Sequence, residues 1–152
     1  MTLTEWQAQQ IETAAKLMAH FVRQTPPERL HWKPVAEAPH EGRSVVDQVQ
    51  ECARANRIMC AALKGEAAPE MGEPITEVEP LIEELMASAA AHAAAIRAFD
   101  PARLDAMCST PHGEMPAAFC IGMPALHMNY HTGQICYVQT LYGDREFRPS
   151  FD

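Results

Sequence analysis

Long apolar runs are missing from this 152-residue sequence. None approaches the about 20 residues that a helix needs to cross a bilayer, which argues against a membrane-spanning protein. The opening stretch MTLTEWQAQQ has no basic segment followed by an apolar one, so no secretory leader is expected. Positive charge is also scarce: 12 Lys and Arg stand against 20 Asp and Glu, for a net charge of −8. Phosphate binding needs clustered basic side chains and here they are scattered, which argues against nucleic acid as the main partner. The five cysteines, Cys52, Cys60, Cys108, Cys120 and Cys136, are an odd number at irregular spacing. They make neither a disulfide framework nor a CxxC pair. They read as reduced thiols, mostly small core residues, in a cytoplasmic protein. Missing too are a G-x-S-x-G elbow, a phosphate-binding glycine loop and an HExxH sequence, which removes three common routes to catalysis. There is no internal repeat, no low-complexity tail and no β-like alternation of useful length.

What is present is amphipathic helix, in a globular composition that is 47% apolar and 21% charged. Thr2 and Glu5 have the spacing of a capping box, and apolar residues from Leu3 to Val22 recur at helical intervals, predicting a first helix over about 3–24. The Pro-rich segment from Thr25 to Gly42 reads as a long ordered connection. Ser44 caps a second helix that runs to about Leu63, with Gly65 as its stop. A third helix starts near Pro80, passes through an alanine-rich stretch thin enough for close packing, and ends at Asp100-Pro101. The last helix is bracketed by Met115-Pro116 and Gly143, with a kink or break expected at Pro124. The expected fold is all-α, a four-helix bundle with long connections, in one domain over residues 1–152.

The chemistry concentrates on two of these helices. His127 and His131 stand four apart and so share a face, together with Cys120, Met123, Gln134, Val138 and Leu141. Two imidazoles placed together in a partly apolar site resist protonation and keep lone pairs for a metal. Alternatively they are two ordinary polar residues beside a core. In the second helix Glu51 falls outside the polar arc of Arg43, Asp47, Gln50, Arg54 and Arg57, and Gln48 and Asn56 face inward. An inward carboxylate must be paired or coordinating; the alternative is a Glu at the interface edge that pairs with a Lys or Arg. Together Glu51, His127 and His131 would make a two-histidine, one-carboxylate set with open positions, able to hold Zn²⁺, Ni²⁺, Fe²⁺ or Mn²⁺. His92 reads as an interface residue. His20, His31, His40 and His112 lie at helix ends or in loops, where exposure is the default. Tyr130 and Tyr137 are placed to line a pocket or to pack half-buried. Cys120 shares the histidine face without any sign of activation.

The segments LHWKP, GRSVVDQVQECARANR and HMNYHTGQICYVQTLYG resemble the DinB-like superfamily, over most of the chain. The resemblance implies a four-helix bundle, often a homodimer, holding a divalent metal with one ligand from the second helix and two histidines from the last. Those positions fall on Glu51, His127 and His131. Glu51 stands where the family pattern expects a histidine, and Thr132 where it expects an arginine. A carboxylate adds negative charge and weakens the preference for a softer metal. Characterised relatives include bacillithiol-dependent S-transferases and a mycothiol-dependent maleylpyruvate isomerase. The expected function is therefore a metal-dependent transferase acting with a low-molecular-weight thiol on a small-molecule substrate. The alternatives are a metal-dependent hydrolase and a non-catalytic metal-binding or scaffold bundle.

Overall fold

Each predicted helix forms close to its sequence signals. The structure is a computed structural model and describes residues 1–35 and 42–146. The first helix, α1, spans Leu3–Arg23, and the Thr2 hydroxyl accepts from the Glu5 backbone N–H at 3.1 Å. The second, α2, spans Val45–Lys64. It opens with a reciprocal cap in which the Ser44 hydroxyl accepts from the Asp47 N–H and the Asp47 carboxylate from the Ser44 N–H. It closes on Gly65 at φ 70°, a left-handed position that any Cβ would strain. The third, α3, spans Val78–Ala98, so that Pro80 lies in the first turn, where its missing N–H costs nothing. The fourth, α4, spans Ala117–Leu141 with Pro116 just before it.

Pro124 lies inside α4 without breaking it. A helical proline leaves the carbonyl four residues earlier without its donor. Here that carbonyl is Cys120's, and the buried His92 ring of α3 faces it and the neighbouring Ile121 carbonyl from across the bundle. Neither His92 nitrogen makes a hydrogen bond of good geometry among the described residues, so the contact is electrostatic and loose.

The sequence shows no β-like alternation of useful length, and the structure adds one short hairpin to the all-α bundle. Met107–Thr110 (β1) and Gly113–Pro116 (β2) pair antiparallel between α3 and α4, in the register Cys108 opposite Met115. Strands of four residues are too short to display alternation against their flanks. The hairpin packs on α2 and α4, and Cys108 and Met115 lie against Met59, Ala62 and Cys120. Its turn carries His112, whose N–H donates to the Thr110 hydroxyl.

In the bundle, α1 and α2 each pack against both α3 and α4. The core is Ile11, Met18, Val45, Val49, Leu81, Leu85, Ile96, Met128 and Ile135, all fully buried. Burial of such a side chain stabilises the fold by about 1.5–3 kcal/mol. Ala89 and Ala93 of the alanine-rich helix are part of this core, while Ala87, Ala90 and Ala94 face outward. Gln139 of α4 ties the end of α1, donating to the Phe21 carbonyl at 2.9 Å and the Thr25 hydroxyl at 3.1 Å. In the connection after α1, the Leu30 carbonyl accepts from the Val46 N–H, and Arg29 lies over the rings of Trp32 and Tyr142. His40 lies outside the described residues. No helix among the described residues is long and apolar enough to cross a membrane.

Candidate metal centre

The geometry of α2 and α4 brings the three expected residues together. Because α4 stays helical through Pro124, His127 and His131 keep their one-turn spacing and point the same way. Their Nε2 atoms are 3.0 Å apart, with the rings edge to face. From α2, Glu51 Oε1 approaches to 3.5 Å from His127 Nε2 and 3.8 Å from His131 Nε2. The Glu51 side chain keeps 38% of its surface exposed, and its other oxygen is bonded by Arg43. Glu51 thus sits at the edge of the interface, paired with an arginine as one reading expected, and also faces the histidines.

His131 is the fixed member of the set. It is buried, and its Nδ1 lies 3.2 Å from the amide oxygen of Gln48. An amide oxygen only accepts, so Nδ1 carries the proton and Nε2 presents a lone pair to the site. This is the arrangement in which a second residue orients a ligating imidazole. Burial, and then the neighbouring His127, lower the His131 pKa, with Glu51 opposing the shift. Neutral imidazole is therefore favoured. His127 is half-buried, and its Nδ1 is buried without a hydrogen-bond partner among the described residues. Asn56, expected to make the site polar, goes elsewhere: its amide donates to Ser88 at 3.2 Å inside the core.

One neighbour was not among the expected ligands. Cys52, adjacent to Glu51 in sequence, is fully buried, and its sulfur lies with one nitrogen of each histidine in a group whose atoms are all within 4.8 Å of one another. Burial first, and Glu51 second, push its thiol up to about 12, so it is protonated where no cation offsets them. Cys52 is a core residue, as expected of these cysteines, and the turn of α2 also places it behind the histidines. Cys120, also considered there, is pushed up to about 11 chiefly by burial and lies in the packing under the hairpin.

Leu141, expected on the histidine face, is exposed at the helix end. Tyr130 and Tyr137 are exposed and line one of two cavities that meet at the site. That cavity is about 750 Å³, and a second, of about 600 Å³, opens on the other side; Glu51 and His127 line both. His31 and His112, both exposed, reach the wall of the second cavity, and His20 stands edge-on to Phe21 at the end of α1.

The donor set fits a divalent cation. Two imidazole nitrogens on one cation at about 2.0–2.1 Å lie about 2.8–3.4 Å apart for angles between square and tetrahedral, and the observed separation is 3.0 Å. The family model of the DinB superfamily matches residues 10–135. The chain belongs to the DinB superfamily. Members of this superfamily typically bind a divalent metal, and this DinB-superfamily protein has a possible Cys/His cluster for one. A conserved protein from Enterococcus faecalis, known from its crystal structure, shares the fold: TM-score 0.76, 14% identity, covering 95% of this chain and 99% of that one. No curated protein matches the sequence.

Proposed function

We propose that this DinB-superfamily protein is a divalent-metal-dependent enzyme that joins a low-molecular-weight thiol to an electrophilic small molecule, with Glu51, His127 and His131 as the metal ligands. The observation that carries this reading is the meeting of two cavities on one donor set, since Glu51 and His127 line both. A transferase needs room for two organic reactants at one centre, whereas a hydrolase needs one reactant and water. When bound, the cation would hold a thiol as its thiolate at neutral pH. The chain supplies the rest. Gln48 fixes the His131 tautomer. Arg43 holds Glu51 at the edge of the site and limits how much negative charge it brings. Apolar side chains in both cavities, Ile58, Met59 and Met123 in one and Val138 and Leu141 in the other, offer packing surface for the two reactants.

The test begins with metal content, measured on protein purified without chelator or nickel affinity. The loaded protein is then assayed with several thiols against a model electrophile. Metal binding and thiol-dependent turnover are expected in the wild type and lost in His131→Ala. Equal turnover in both would end the proposal, and turnover without thiol would favour hydrolysis. Cobalt loading separates the two possible third ligands. Glu51 as ligand predicts no thiolate-to-cobalt absorption band and weakened binding in Glu51→Gln. A band that vanishes in Cys52→Ser would move the third ligand to Cys52.

A further inference from the structure

The smaller of the two cavities carries a charge that nothing in the described residues satisfies. Most arginines of this acidic chain are committed. Arg23 pairs with Glu79, Arg43 with Glu51, Arg57 with Glu84, and Arg97 with Glu5 and Glu12. Arg29 lies over Trp32 and Tyr142, and Arg103 over Phe99. Arg54 is half-buried in the cavity wall and makes no ion pair or hydrogen bond among the described residues. The acids on the same wall are already engaged: Asp47 with Ser44 and Lys33, and Glu51 with Arg43. A half-buried guanidinium with no protein anion on its donors keeps its fork available, and that fork matches a carboxylate bidentately.

Much of the remaining wall is apolar, with the polar His31, Gln50, Thr76 and His112 among it. Val46, Ile58, Met59 and Met123 line the same space, whose volume of about 600 Å³ is that of a small-molecule site. Arg54 is three residues beyond Glu51 on α2, so it stands one turn along the helix from the candidate metal ligand. One cation calls for one negative charge, which favours a carboxylate over a phosphate dianion.

We propose that Arg54 anchors the carboxylate of an amphiphilic small molecule whose apolar body lies on Ile58, Met59 and Met123, with its far end reaching Glu51 and His127. That this molecule is the electrophilic substrate rests on the enzymatic reading above; that it binds does not. Arg54 is thus a specificity-determining residue that acts on the substrate's charge.

Calorimetry on metal-free protein tests this, so that carboxylate coordination to a cation cannot contribute. The probes are phenylalkanoates from phenylacetate to 5-phenylpentanoate, each beside its neutral amide. At least one acid is expected to bind about tenfold or more tightly than its amide, the scale of one charge-assisted hydrogen-bonded pair. Arg54→Gln should bring that ratio to about one while leaving amide binding and the melting temperature unchanged. Arg54→Lys should restore part of it, which guards against a folding defect in the first variant. His131→Ala should keep the full ratio. Equal binding of acid and amide by the wild type, no binding of any probe, or a preference that survives in Arg54→Gln would each overturn the proposal. A full ratio in a protein without thiol-dependent turnover would leave the anchor standing and end the transferase reading alone.

Discussion

Lowering the pH should destabilise this protein through one side chain remote from the metal centre. His92 is fully buried in α3, and burial lowers its pKa from 6.5 to about 4, against the weaker opposing pull of the Ile121 and Cys120 carbonyls. In the unfolded chain the ring titrates near its ordinary value. Between those two values the unfolded state binds the proton and the native state does not, so stability falls as pH falls. The contribution of neutral His92 is complete above about pH 6.5 and is lost as the pH drops towards 4. The shift is equivalent to about 3 kcal/mol, of which about 2 kcal/mol is lost by pH 5. Urea unfolding followed by circular dichroism at pH 7.5, 6 and 5 measures this. His92→Leu removes the titration while keeping an apolar side chain of similar bulk. The carboxylates of Glu5, Glu12, Asp47 and Glu79, all held below their ordinary range, and the lowered pKa of His131 act in the same direction in both proteins and cancel in the difference. The wild type should therefore lose about 2 kcal/mol more than the variant between pH 7.5 and 5. Parallel losses would show that His92 is hydrated or hydrogen-bonded in the native state, and the argument from burial would fail.

Three other outcomes follow from the same structure. Gln48→Leu, which takes the amide oxygen from His131 Nδ1, should weaken metal binding about 10- to 100-fold without unfolding the bundle, as read by calorimetry with Zn²⁺. Gly65→Ala should cost about 1 kcal/mol in urea unfolding, because φ 70° is the whole of the penalty and no atom lies within 4 Å of the added methyl. If the homodimer that the family resemblance implies forms through the exposed stripe of Phe119, Leu126, Tyr130 and Tyr137 on α4, light scattering at micromolar concentration should report a dimer that Leu126→Glu dissociates, and an unchanged mass would remove this face as the interface.

The helices were legible because their signals are local. Ser44, Asp47 and Gly65 bracket α2 within a few residues of its ends, and the structure uses each of them as its chemistry predicts. The hairpin was hidden for the opposite reason. Met107–Thr110 and Gly113–Pro116 are each four residues long, and what holds them is packing against Met59, Ala62 and Cys120 from other elements. Pro124 reads as a helix breaker when only α4 is considered. The helix nevertheless runs through it, with the buried His92 imidazole facing the carbonyl that the proline leaves free.

The metal centre divides along the same line. Spacing alone placed His127 and His131 on one face, since that is a property of a single helix. The roles of Gln48, Arg43 and Cys52 depend on how α2 is rotated against α4, and no residue in either helix states that angle by itself. A sharper signal did lie in the sequence. Gln48, Glu51 and Cys52 fall at i, i+3 and i+4, one stripe of α2, and a polar-acidic-thiol stripe flanked by the core residues Val45 and Val49 is expensive to bury without a partner. A stripe of that kind predicts a complementary polar face on a neighbouring helix, and the histidine pair of α4 was the one available. Arg54 lies on the polar arc of the same helix and makes no ion pair or hydrogen bond among the described residues, which is why its partner is sought among ligands.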